Sequence, residues 1–279
     1  MAADCVSFLH WALPQLGLAW PGFRRVRRQV CRRIGHRIQE LRLPDPTAYR
    51  RLLETTPDEW AVLEHCCRIT ISRFFRDWAV FKQLRDHILP QLAAGVAEER
   101  RHLRAWSAGC ASGEEPYSLA ILWRLGLDLP AVGVEIVATD VDQDLLERAR
   151  RALYPPSSLR EVPAPWRLVA FEPERQGFRV RPEFREGVSF VQQDLRRENP
   201  SGRFDLILCR NVAFTYFDDA GRRATLRRFA SLLYPNGVLV IGREEALPEG
   251  EGQFRPCSGA AGIHSFVTRE AEKASPACT

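Results

Sequence analysis

Two carboxylates follow directly on a glycine turn in Trp106-Ser-Ala-Gly109-Cys-Ala-Ser-Gly113-Glu-Glu115-Pro-Tyr-Ser118. Gly109 and Gly113 allow the backbone to turn tightly and to approach a ligand closely. A pyrophosphate at such a turn requires backbone N–H groups without fixed negative charge nearby. Carboxylates in that place favour a nucleoside that carries positive charge, such as the sulfonium and α-amino groups of S-adenosylmethionine. A second acid ends Val134-Glu-Ile-Val-Ala-Thr-Asp140. Asp140 stands where a ribose diol is held in nucleotide-binding sheets, and Asp140 or Asp142 can equally cap the helix that follows. A third acid, Asp194, ends Val188-Ser-Phe-Val-Gln-Gln-Asp, and Phe204-Asp-Leu-Ile-Leu-Cys209 delivers Arg210 and Asn211.

These residues need a scaffold that brings strand ends together. Leu103 to Ser107 reads as a short buried strand, and Glu114-Glu115-Pro116 opens a helix, with acids at its positive end. Repetition of strand and helix predicts an α/β doubly wound sheet of about seven strands, and ligands of such sheets bind at the strand carboxyl ends. Asp140, Asp194 and Asn211 would converge there. Residues 1 to about 90 read as helical: Phe23, Val26, Val30, Ile34, Ile38 and Leu41 recur at three and four. Between Tyr154 and Glu186 the chain is rich in Pro and Arg, with a candidate hairpin of Trp166 to Phe171 and Phe178-Arg-Val-Arg around Gly177.

The motifs Trp-Ser-Ala-Gly-Cys-Ala-Ser-Gly-Glu-Glu-Pro-Tyr-Ser, Ala-Thr-Asp140, Cys209-Arg-Asn211 with Tyr216-Phe-Asp218, and Ser72-Arg-Phe-Phe-Arg-Asp77 closely resemble the CheR-type protein-glutamate O-methyltransferases. They occur in family order over roughly residues 20 to 267. The resemblance implies a Rossmann-like methyltransferase sheet in 91–268, with a small antiparallel insertion at about 155–187. It also implies an N-terminal helical domain and linker in 1–90, and 269–279 reads as a disordered tail. S-adenosylmethionine is the implied cofactor, with contacts at Thr70, Ser72, Arg76, Gly109, Gly113, Glu115, Asp140, Asp194, Leu195, Asn211 and Val212. Arg76 and Tyr216 are the implied catalytic, orienting residues, and no metal is expected.

Departures from the family pattern locate the points of divergence. Thr70 and Ser72 occupy the first two polar places of a motif that begins with Asn in the family. Asp194 stands where Asn is frequent. One additional residue precedes Tyr216, and Gly242-Arg-Glu-Glu245 replaces Gly-His-Ser-Glu. Phe74 and Phe75 are assigned to packing. Arg76 can fork onto a carboxylate of cofactor or substrate, or pair with Asp77 at the surface. In the family the insertion can dock a receptor tail; this one is short and Pro-rich, and that role is not carried over.

The composition suits a soluble globular chain of 279 residues and net charge +5. No apolar run reaches membrane length, and Val6 to Leu18 is not read as a signal peptide. The eight cysteines include no C-x-x-C, which disfavours zinc and points to a reduced, cytoplasmic protein. Seven arginines fall between Arg24 and Arg37 with no acid among them. This basic helix reads either as a solvated face or as a grip on an acidic protein, which the resemblance identifies with a chemoreceptor cytoplasmic domain. No aromatics interleave the arginines, which disfavours nucleic acid. A monomer is expected. The function implied is methyl-ester formation on protein glutamates. The alternatives are a same-fold methyltransferase acting on a small molecule or a non-receptor protein, and a non-enzymatic binding module.

Overall fold

Helix-period apolar residues open the chain, and they build a helical unit. The computed structural model describes residues 2–128, 132–250, 252–257 and 261–267; the expected tail at 269–279 lies outside them. Met1–Thr70 and Thr215–Arg223 form one compact unit, and Ile71–Phe214 with Ala224–Thr279 form the other. Residues 71–90, read in the sequence as linker and helical domain, thus pack within the sheet unit.

In the first unit the helices are α1 (Ala2–Gln15), α2 (Trp20–Phe23), α3 (Arg27–Glu40), α4 (Pro46–Thr55) and α5 (Glu59–Cys67). Asp45 caps α4 by accepting the Ala48 N–H. Leu9 and Leu13 of α1, Val30 and Ile34 of α3, and Tyr49 and Leu53 of α4 are buried at the spacings that place them on single faces. Cys5 and Cys31 are joined by a disulfide between α1 and α3, across 26 residues. This corrects the reading of all eight cysteines as reduced thiols. The pair is distant in sequence, and only the packing of α1 on α3 brings it together. A loop of this size stabilises by about 3 kcal/mol, chiefly through the unfolded chain.

The second unit begins with α6 (Trp78–Gln83), a π-helical turn at Leu84–Ile88 and α7 (Leu89–Glu98). The widened turn lies just before Pro90, whose ring would clash with a carbonyl of a regular preceding turn. Then come β1 (Leu103–Ala108), α8 (Glu114–Gly126), β2 (Val134–Asp140) and α9 (Gln143–Arg151). The insertion holds β3 (Leu153–Tyr154), α10 (Ala164–Ala170), β4 (Phe171–Glu174) and β5 (Gly177–Val180), its three strands forming a small antiparallel sheet in the order β3-β5-β4. The hairpin is shorter than expected. Trp166 to Ala170 is helical, because Pro165 sits in the first turn of α10, where proline favours helix.

The remaining elements are β6 (Val188–Gln192), β7 (Phe204–Cys209), α11 (Ala213–Tyr216), α12 (Asp219–Leu232), β8 (Leu233–Ile241), β9 (Phe254–Pro256) and β10 (Ile263–Phe266). The large sheet has seven strands in the order β6-β2-β1-β7-β8-β10-β9. β6 to β8 run parallel, and β10 and β9 are antiparallel additions. The order reverses direction between β1 and β7, which opens a crevice at their carboxyl ends. β7 is buried at every position, as a central parallel strand requires. Among the described residues no helix is long and apolar enough to cross a membrane.

Candidate cofactor site

The crevice is lined by the turns that leave β1, β2 and β7. After Ala108 the chain passes through Gly109 at φ 80°, Ala111 at φ 48° and Gly113 at φ 92°. A Cβ on Gly109 would lie 2.6 Å from a Val212 methyl, and one on Gly113 would lie 2.8 Å from the Ala149 Cβ. Both glycines are therefore required by space as well as by φ. Gly109 and Cys110 donate their N–H groups to the Thr139 carbonyl at 2.8 and 2.9 Å, tying the loop to the end of β2.

Asp140 completes that tie. Its Oδ2 accepts the Ala111 N–H at 2.8 Å and its Oδ1 accepts the Asp142 N–H at 3.0 Å. Asp142 caps α9 by accepting the N–H groups of Asp144 and Leu145 at 3.1 and 3.2 Å. Of the two acids it is Asp142 that caps the helix, while the Asp140 side chain holds the loop.

Glu115, in the first turn of α8, is oriented through both oxygens. Ser107 Oγ donates to Oε1 at 2.7 Å, and Arg210 Nη1 donates to Oε2 at 3.2 Å. Arg76 donates Nη1 to the Ile71 carbonyl at 2.8 Å; it is Arg210, rather than Arg76, that pairs with Asp77. Phe74 and Phe75 are fully buried, as their assignment to packing expects. The Phe74 N–H donates to the Ser158 carbonyl and the Phe75 N–H to Ser118 Oγ, docking the segment that includes Ser72 onto α8 and the insertion.

On the β7 side, Asn211 has φ 58°, and its N–H donates to Glu245 Oε2 at 2.9 Å. The same oxygen accepts the Gly242 N–H at 2.5 Å. Glu245 was not among the candidate residues. An acid three residues beyond a strand-ending glycine was the available signal, and its partner Asn211 is 34 residues away. Val212 follows and packs over Gly109.

β6 ends at Gln192, so Asp194 stands two residues beyond the strand rather than at its tip. Its carboxylate meets the Arg196 fork, Nε to Oδ1 at 3.0 Å and Nη2 to Oδ2 at 2.9 Å. Burial works to raise its pKa, but Arg196 outweighs it and holds the group below the ordinary carboxylate range. Leu195 beside it is buried. Thr70 and Tyr216 belong to the helical unit. There the Tyr216 ring lies 5.1 Å from that of Phe23, and its carbonyl accepts the Ala19 N–H at 2.8 Å.

The side chains gathered here are carboxylates, Glu115, Asp140 and Asp194, two of them paired with Arg210 and Arg196, while the N–H groups of Gly109, Cys110 and Ala111 are taken by Thr139 and Asp140. That chemistry fits a diol and a cationic sulfur nucleoside and does not fit a pyrophosphate. The two thiols nearby, Cys110 and Cys209, are fully buried, and desolvation pushes both well above the ordinary range. Neither supplies a thiolate. Among the described residues no group of acids, histidines and cysteines could hold a metal ion.

Comparison with known proteins is specific. Residues 70–263 match the model of the CheR methyltransferase, SAM binding domain. Chemotaxis protein methyltransferase 2 of Pseudomonas aeruginosa is 35% identical over 222 residues, 77% of each chain. The chemotaxis protein methyltransferase of Salmonella typhimurium is 34% identical over 228 residues, covering 78% of this chain and 76% of that one. An uncharacterized 104.1 kDa protein of Rhodobacter capsulatus is 33% identical over 228 residues, and there the match spans only 24% of the relative's length.

Proposed function

Because the chain belongs to the CheR family of S-adenosylmethionine-dependent methyltransferases, we propose that it forms methyl esters on glutamate carboxylates of an acidic protein, a chemoreceptor cytoplasmic domain being the acceptor that fits its relatives. The observation that supports this reading is that the carboxylates of the crevice are already engaged, by Arg210, Arg196 and backbone N–H groups. Among the described residues of the crevice there is no histidine or lysine, and the thiols of Cys110 and Cys209 are held protonated.

Bound S-adenosylmethionine supplies an electrophilic methyl group on a sulfonium. A glutamate carboxylate with its ordinary pKa near ~4.3 arrives deprotonated at neutral pH, so no proton has to be removed. An amine or hydroxyl acceptor would need a base, whereas the carboxylates of the crevice are already paired or hydrogen-bonded. The protein's part is then to desolvate and align the nucleophile. We assign Asp140 to the ribose diol, Glu115 to the α-amino group and Asp194 with Leu195 to the adenine. Gly109, Gly113, Asn211 and Val212 shape the walls. Thr70, Ser72 and Arg76 keep the cofactor contacts that their motif implies, and Arg76 and Tyr216 are the orienting residues. Cytoplasmic action goes with such an acceptor, a compartment in which the Cys5–Cys31 bond is an uncommon feature.

The test is the chemistry of the product. Methyl transferred from labelled cofactor to a protein acceptor should be released as methanol by mild alkali. An alkali-stable label on nitrogen, sulfur or nucleic acid would leave the fold right and the reaction wrong.

The basic helix gives a second expectation. Arg24, Arg25, Arg27, Arg28 and Arg32 are exposed, whereas Arg33 and Arg37 turn inward to α5. Reversing Arg27, Arg28 and Arg32 to glutamate should raise the KM for an acidic acceptor about tenfold at low salt and spare cofactor affinity. Raising salt should reproduce the effect in the wild type. Loss of cofactor binding in that variant would make the helix structural instead.

A further inference from the structure

Asp77 immediately precedes α6, a position from which aspartate ordinarily caps a helix, yet its carboxylate makes no capping bond. It reaches Arg210 instead, whose Nη2 donates to Oδ2 at 2.7 Å. The same nitrogen donates to the Arg76 carbonyl at 2.8 Å, and Nη1 donates to Glu115 Oε2 at 3.2 Å. The Arg210 side chain is only 3% exposed. Its guanidinium carbon lies 5.5 Å from the Phe81 ring centroid, and its buried Nε has no acceptor.

A planar guanidinium serves separate acceptors at a fixed angle, which a flexible ammonium cannot do. Arg210 therefore sets one carboxylate on α8 and one segment, 76–77, at a defined separation. The backbone around that segment is strained: Phe75 and Asp77 have φ of 53° and 62°, on either side of Arg76. Non-glycine residues keep such conformations only where their surroundings over-determine them. The bonds from Arg210 to the Arg76 carbonyl and the Asp77 carboxylate, with the Phe75 N–H on Ser118, meet that condition.

We propose that Arg210 is a positioning residue for methyl transfer: bridging Asp77 and Glu115, it holds Arg76 and Glu115 in one frame, so that the carboxylate and the α-amino group of the cofactor's methionine end are met together. The proposal rests on the cofactor roles given above to Arg76 and Glu115. The Asp77 carboxylate has no cofactor role of its own and acts through its bond to Arg210. The bridge carries two acids and one base, so a negative charge remains to favour a cationic ligand.

Asp77→Asn isolates the effect, because asparagine matches the shape of aspartate and tolerates the left-handed conformation. Calorimetry with S-adenosylhomocysteine should show affinity about tenfold weaker than wild type. The KM for S-adenosylmethionine should rise by a similar factor while kcat falls by less. Arg210→Lys should lie between wild type and Arg210→Gln. Adding Asp77→Asn to Arg210→Gln should change the affinity by less than about twofold, since both act through one bridge. Unchanged affinity in Asp77→Asn, even with a lowered melting temperature, would reduce the bridge to a structural contact and overturn the proposal. So would effects that simply multiply in the double variant. A wild type that binds no S-adenosylhomocysteine would overturn the functional reading itself, and this inference with it.

Discussion

Replacing Asp140 by alanine is expected to remove measurable binding of S-adenosylhomocysteine, a loss of about 100-fold or more in affinity. Two effects act together. A diol at the end of β2 would lose a charged acceptor, and hydrogen bonds to charged groups contribute about 1.5–3 kcal/mol each. Two of them correspond to about two orders of magnitude or more. The glycine loop would also lose one of its anchors, since Asp140 accepts the Ala111 and Asp142 N–H groups. Ala111 sits at φ 48°, a conformation that a residue with a Cβ keeps only where its surroundings hold it. Asp140→Asn keeps one oxygen acceptor and should lie between. Equal affinity in wild type and Asp140→Ala, measured by calorimetry, would take Asp140 out of the site.

The second large effect concerns the helical unit. Arg37 of α3 forks onto Glu59 of α5, Nε to Oε1 and Nη2 to Oε2, both at 2.8 Å. The buried Tyr49 hydroxyl adds a third bond to Oε1 at 2.8 Å. Glu59→Gln should destabilise this unit by about 3 kcal/mol, because removing one partner of a buried pair strands the other. The figure sits at the lower end of the usual range because Arg37 retains 27% exposure. Hydrogen exchange of α3, α4 and α5 amides in the full chain should report it, with faster exchange there and little change in β1 and β7.

The pH dependence has a definite sign. The Arg37 hydrogen bonds hold the Glu59 carboxyl below its ordinary value, against its burial and with help from Tyr49. A depressed carboxyl contributes stability that is fully present above its unfolded pKa, near ~4.3, and is lost as pH falls through the folded value. The difference between wild type and Glu59→Gln should therefore stay level from neutral pH to about 5 and shrink in acid. A difference that grows below that range would show that the pair does not control the unit.

Much of the scaffold was legible because its causes are local. Apolar spacing of three and four marked the buried face of α3, and a run of apolar residues marked β7 as a strand. Gly109 and Gly113 announced a turn, and Asp140 and Asp142 announced a strand end and a cap. Each of these signals lies within a few residues of what it specifies. The insertion was less legible: proline at the first turn of α10 competed with an apolar run that also suits a strand, and the helix won.

What the sequence by itself determined, then, was most of the order of elements, the glycine turn after β1 and the acid that ends β2. Tertiary structure alone decided how the acids are held. Arg210 meets Glu115 across 95 residues and Asp77 across 133, and Glu245 meets the Asn211 N–H across 34. Cys5 meets Cys31 only because α1 packs on α3. The physical reason is common to all four. A strand end or a helix face fixes where a side chain starts, but a charge or a thiol chooses its partner by proximity in space. Here that proximity follows from β7 lying beside β1, β8 beside β7, and α3 beside α1, none of which is encoded within a few residues of the groups that meet.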